Sequence, residues 1–109
     1  RSALRTWLHD VGIAPHQAVD VLIATGEAVA NAIEHGHRDQ LGGTVNLRAT
    51  TLVDHVQVTI ADTGTWKIPR EIPDSDRGRG IALMRLLMDD VTFDHGADGT
   101  TVHLSARII

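Results

Sequence analysis

Residues 16 to 35 carry Val19, Leu22, Ile23, Val29, Ala30 and Ile33 at helical spacing, and this run constrains the fold more than any other part of the chain. It follows Ala14-Pro15, a favourable helix entry because proline's fixed φ suits the first turn and its missing N–H is not needed there. Gly36 supplies the stop. A helix of this length with an apolar face must bury that face against something, so the rest of the chain has to provide a surface. Thr44 to Thr51 and Val56 to Ala61 alternate apolar and polar residues across a Leu52-Val53-Asp54-His55 connection, the pattern of a β-hairpin with Val45, Leu47 and Ala49 on one face and Val56, Val58 and Ile60 likewise. Val91 to Phe93 and Thr101 to Arg107 form a second hairpin around Ala97-Asp98-Gly99.

Two further helices complete the reading. Ser2 caps a short one through His9, with Leu4, Trp7, Leu8 and Val11 on one face and Gly12 as the left-handed stop. Ile81, Met84, Leu87 and Met88 mark the other, after a glycine- and proline-punctuated loop from 62 to 80. The order helix, helix, hairpin, loop, helix, hairpin predicts an α/β two-layer sandwich, a mostly antiparallel sheet with helices on one face.

With 109 residues the chain forms one domain. It has no Tyr, one Phe and two Trp, so its core is aliphatic. The absence of Cys rules out disulfides and thiolate metal sites, as suits a reducing cytoplasm. Ten basic against 14 acidic residues give a formal charge of -4, the wrong balance for a protein that tracks nucleic acid. No apolar run is long enough to span a membrane.

Four stretches carry chemistry. Glu27, Asn31 and His35 fall at i, i+4 and i+8 and so share one helix face, with Glu34 beside them. Such a stripe is either solvent-facing or a set of hard oxygens, the carboxylate able to take a proton and the amide carbonyl suited to Mg²⁺ shared with phosphates. Asp62-Thr63-Gly64 ends a strand at the mouth of the long loop, where Asp62 either closes an Asx turn or accepts a hydrogen bond from an amino group such as that of adenine. Gly78-Arg79-Gly80 directly precedes the helix from Ile81, where two glycines let successive N–H groups form an anion-binding nest, and Arg77 and Arg79 add cations. Gly99-Thr100 opens the last strand, where a tight turn alone accounts for the glycine.

Taken in order, Glu27 to Gly36, Asp62-Thr63-Gly64, Gly78-Arg79-Gly80-Ile81 and Gly99-Thr100 resemble the nucleotide-binding boxes of the GHKL ATPase superfamily, and within it the anti-sigma factor serine kinases of bacteria. The Glu-x-x-x-Asn form of the first box distinguishes that branch from histidine kinases, which usually carry Asn at both ends. The resemblance covers nearly the whole chain. It implies a Bergerat-type ATP-binding fold and an ATP- and Mg²⁺-dependent serine-protein kinase that binds a sigma factor, phosphorylates an anti-anti-sigma (STAS-type) protein, and works in the cytoplasm as a homodimer. By the same resemblance Asn31 holds Mg²⁺, Glu27 is the general base for the acceptor serine, Asp62 holds the adenine amino group and Thr100 supports the base. Gly64 admits the nucleotide, while Gly78 and Gly80 cradle phosphates with Arg77 and Arg79 beside them.

Three departures accompany the likeness. Trp66 stands where the first nucleotide box often has its second Gly. The loop from Thr65 to Arg77 is short and stiffened by Pro69 and Pro73, which argues against a large closing lid. The chain opens on Arg1 without the N-terminal strand such domains commonly have, as expected of a single GHKL-type domain, residues 1–109, excised from a longer protein.

Other readings compete. A nucleotide-dependent partner-binding switch would need no base, and Trp66 favours it. Asp62-Thr63-Gly64 is also the signature of retroviral-type aspartic proteases, but those are almost wholly β, which the helix from 16 to 35 opposes. His35 and His37 suggest zinc, yet ligands at i and i+2 diverge and the helix stops between them. The remaining histidines, His9, His16, His55, His95 and His103, are scattered and read as exposed.

Overall fold

A computed structural model describes residues 2–33, 45–62, 74–96 and 99–108. The elements run α1 (Ser2–Asp10), α2 (Pro15–Asn31), β1 (Val45–Thr51), β2 (His55–Asp62), α3 (Asp74–Leu87), β3 (Asp90–Gly96) and β4 (Gly99–Arg107). The four strands form one antiparallel sheet in the order β1-β2-β4-β3. Each hairpin is local, whereas the β2–β4 pairing that joins them is not. The α/β sandwich expected from the alternation of periodicities is therefore the observed architecture. Among the described residues no helix is long and apolar enough to cross a membrane.

Strand register explains the core. Val58 lies opposite Leu104, which lies opposite Val91, and Ile60 lies opposite Val102, which lies opposite Phe93. Because side chains alternate across a strand, these residues share the face that α2 and α3 cover. Leu8 of α1, Val21, Ala24 and Ala28 of α2, Met84 of α3 and Met88 just beyond it close the core from the helical side. Gly12, at φ +85°, turns the chain between α1 and α2, as its left-handed reading predicts. The Gln17 side-chain amide donates to the carbonyl of Arg107, pinning the start of α2 to the end of β4.

Several expectations need correction. The apolar face assigned to the long helix is not the one buried: Val19, Ile23 and Ile33 are 52%, 42% and 54% exposed. Val21, Ala24, Thr25 and Ala28 face inward instead. Apolar residues lie on more than one face of this helix, with Val19 and Ile23 on one and Val21, Ala24 and Ala28 on another, so spacing alone does not choose a face. Packing selects the small residues, which let the helix lie close against the sheet. Leu47 shares a face with Val45 and Ala49, which pack partly against the core, yet it is itself 44% exposed on the edge strand β1.

The third helix begins at Asp74, not Ile81, so Gly78-Arg79-Gly80 lies within it. Beyond the helices, His55 and His103 are half-buried and partnered. His103 Nδ1 lies 3.4 Å from Thr59 Oγ1 and its Nε2 3.2 Å from Asp94 Oδ2, linking three strands on the sheet face away from the helices.

Two predictions follow from this packing. Leu104→Ala empties the centre of the core and lowers unfolding free energy by roughly 2–5 kcal/mol, whereas Leu52→Ala, on an exposed connection, stays within about 0.5 kcal/mol; urea denaturation of both variants checks the contrast. The second concerns the β1–β2 turn, where His55 Nδ1 lies 2.6 Å from Asp54 Oδ1. That hydrogen bond, with the charges of His55 and Arg107, holds the Asp54 carboxyl below its ordinary 3.8. A lowered carboxyl stabilises the fold above its unfolded value and loses that contribution as pH falls through the folded one. The thermal midpoints of wild type and Asp54→Asn therefore converge in strong acid, and a difference independent of pH contradicts the assignment.

Candidate active site

The β2–β4 register creates the first half of the site. Asp62, the last residue of β2, lies directly opposite Thr100 near the start of β4. Both are buried, at 4% exposure each, on the face toward the helices. They are a polar pair at one end of an otherwise aliphatic face, next to Ile60 and Val102. Gly99, at φ +141°, adopts a backbone conformation that favours glycine just before Thr100.

The second half comes from α2. Ala28 and Ala32 are buried and Asn31 is half-buried, so the helix presents two methyl groups and an amide toward the strands. Together Ala28, Asn31 and Ala32 face Ile60, Asp62, Phe93, Thr100 and Val102 across a narrow crevice. Small side chains on the helix are what leave this space. In this conformation the crevice is nearly closed, with aliphatic and aromatic walls and a carboxylate at its end.

Glu27 stands one turn before Asn31 and borders a different surface, an open groove with Arg5, Val19, Leu22, Ile23, Gly26 and Ala30. What joins Glu27 to Asn31 is α3. A Cβ placed on Gly80 would lie 3.1 Å from Glu27 Oε1 and 3.6 Å from both Asn31 Nδ2 and Oδ1. The stripe read from the sequence is thus neither fully solvated nor in the core. It is held at the junction of two helices, between the closed crevice and the open groove.

The structure accordingly brings together Glu27, Asn31, Asp62, Thr100 and Gly80. The backbones of Arg77, Gly78 and Arg79 lie in the first half of α3, so the expected nest of N–H groups ahead of a helix is absent from this conformation. Inside a helix those N–H groups serve the i→i−4 ladder. Gly64, Trp66, His35 and His37 lie outside the described residues. Among the described residues no group of three His, Asp or Glu side chains is placed to hold a metal ion by itself. The oxygens of Glu27 and Asn31 are nonetheless the hard donors that Mg²⁺ prefers, and a Mg²⁺ shared with phosphates needs few protein ligands. Sequence reasoning missed Ala28, Ala32 and Phe93 as lining residues. The small-residue spacing of Ala24, Ala28 and Ala32 is the signal that could have shown the first two.

Comparison with known proteins agrees with this geometry. Residues 1–106 match the model of the histidine kinase-like ATPase domain. The chain is 34% identical over 104 residues to an anti-sigma F factor of Bacillus velezensis, covering 84% of this chain and 70% of that protein. It is 29% identical over 99 residues to the serine-protein kinase RsbW of Oceanobacillus iheyensis, covering 78% and 63%. A blue-light activated histidine kinase of Erythrobacter litoralis superposes with a TM-score of 0.70 at 24% identity, over 88% of this chain and 32% of that one, a likeness of fold. The chain belongs to the histidine kinase-like ATPase family of the GHKL superfamily, on its anti-sigma kinase-like branch.

Proposed function

We propose that this chain is an ATP- and Mg²⁺-dependent serine-protein kinase and anti-sigma factor, which binds a sigma factor and phosphorylates a STAS-type anti-anti-sigma protein. The observation that carries the reading is the meeting of a buried Asp62–Thr100 pair with Asn31 across one crevice, and of Asn31 with Glu27 under Gly80. The names of its relatives, anti-sigma F factor and serine-protein kinase, support the same activity. Cytoplasmic location, homodimerisation and a single GHKL-type domain over residues 1–109 belong to this proposal.

The division of labour follows from residue chemistry. Asp62 accepts a hydrogen bond from the adenine amino group, and Thr100 supports the base beside it. Asn31 offers its side-chain oxygen to Mg²⁺, which when bound neutralises charge on the phosphates. Gly64 admits the nucleotide, and Arg77, Gly78, Arg79 and Gly80 serve its phosphates. The acceptor serine gives its hydroxyl proton to a Glu27 carboxylate oxygen as the serine oxygen bonds to the γ-phosphorus. The bond from that phosphorus to the bridging oxygen then breaks, and ADP leaves. Since such transfers rest on positioning and charge, a base held against its neighbour is the part this chain can supply.

A second reading, a nucleotide-dependent binding switch without transfer, is favoured by the helical state of residues 78–80, where no phosphate nest is formed. Labelled ATP, Mg²⁺ and candidate STAS-type proteins separate the two. Under the kinase reading label passes to a serine, and Glu27→Ala slows transfer about 10²- to 10⁴-fold while ATP still binds. Tight partner binding with no transfer supports the switch. For the pocket itself, Asp62→Asn is expected to weaken Mg²⁺–ATP binding roughly 10- to 100-fold by calorimetry, the cost of losing a hydrogen bond to a charged group; unchanged affinity removes Asp62 from the adenine site.

A further inference from the structure

Gly80 is buried in α3, and its backbone conformation is not one that requires glycine, since the described glycines with positive φ are Gly12 and Gly99. Helix propensity argues against it, because glycine inside a helix is less favourable than alanine. Space is the remaining reason. The contacts that a methyl group would make fall on Glu27 Oε1, at 3.1 Å, and on the two amide heavy atoms of Asn31, at 3.6 Å. The longer distances are ordinary packing. The shorter one is not, so the carboxylate would have to give way by a few tenths of an ångström. Glu27 is half-buried, and its carboxylate is the far end of a flexible chain, so it can move without disturbing the core.

From this contact we infer that Gly80 is a positioning residue for Glu27: its missing side chain lets α3 close over α2 while leaving the carboxylate in place beside the Asn31 amide. This role is separate from cradling phosphates, which concerns N–H groups rather than the space beyond Cα. It rests on the proposal that Glu27 is the base. One helix–helix contact then sets the distance between the group that takes a proton and the group that holds the metal. Misplacing such a group by a fraction of the substrate's reach costs rate more than affinity.

The test compares wild type, Gly80→Ala, Glu27→Asp and the double variant, each in the 109-residue chain. Three properties are read: the side-chain carboxyl carbon resonance of Glu27 in nucleotide-free protein, Mg²⁺–ADP affinity by calorimetry, and label transfer to the STAS-type acceptor. In Gly80→Ala the Glu27 resonance shifts, and any loss of Mg²⁺–ADP affinity is smaller than the loss of transfer. Transfer falls about 10- to 100-fold in kcat with little change in KM for ATP. The shorter Asp relieves the contact but also draws the base back, so Glu27→Asp transfers slowly by itself and Gly80→Ala lowers transfer by less on that background than on wild type. An unmoved resonance overturns the inference, as does a loss of Mg²⁺–ADP affinity that parallels the loss of transfer, or a Gly80→Ala effect as large with Asp at position 27 as with Glu. Should Gly80→Ala fail to fold, folding of the double variant supports the contact, and failure of both overturns it. Absence of transfer in wild type counts against the kinase reading, and the resonance and affinity results still decide the role of Gly80.

Discussion

Everything at the site depends on how α2 is seated. Ala24, Ala28 and Ala32 turn their methyl groups inward, and the helix lies on β2 and β4 through residues too small to hold it away. Larger side chains at these positions would pack as well in a generic core, but they would fill the space between helix and strands. With alanines, Asn31 borders the same crevice as Asp62 and Thr100. The polar pair on the strands and the polar stripe on the helix are thereby brought to one place by apolar packing rather than by attraction between them.

The third helix completes the arrangement in a different way. Met84 anchors its later half in the core and Met88 the turn just after it, and an unbranched, adaptable side chain suits an irregular seam between helix and sheet. Its earlier half carries two glycines and two aspartates, a composition that gains little from burial. Contact with α2 at Gly80 offsets part of the helix-propensity deficit, which for two glycines is about 2 kcal/mol. At Gly80 this helix lies against Glu27 and Asn31 of α2.

Much of this was readable before the fold was known, and the limits have physical causes. Period-two alternation placed the hairpins, most plainly through β2 and β4, in which buried residues alternate with half-exposed ones. The existence of α2 was plain, but its buried face was not, since Val19 and Ile23 look as suited to a core as Val21 and Ala24. Gly78 and Gly80 read as breakers because local propensity says so, and only the neighbouring helix explains why the chain stays helical there. The adjacency of Asp62 and Thr100 depends on β2 pairing with β4, a contact 38 residues apart along the chain that no local pattern encodes. Likeness to a family brought those residues together on paper, and strand register does so in space.

The sheet ends at β1 among the described residues, and that edge has its own chemistry. Val45–Thr51 is seven residues long, contains no proline and exposes Leu47, features that invite another strand to add on. Arg48 sits at its midpoint, exposed to solvent. Two copies approaching edge to edge in antiparallel register about that midpoint would set guanidinium against guanidinium, a cross-strand repulsion. One arginine thus discourages the most symmetric form of self-templated stacking while leaving the strand's pairing with β2 untouched.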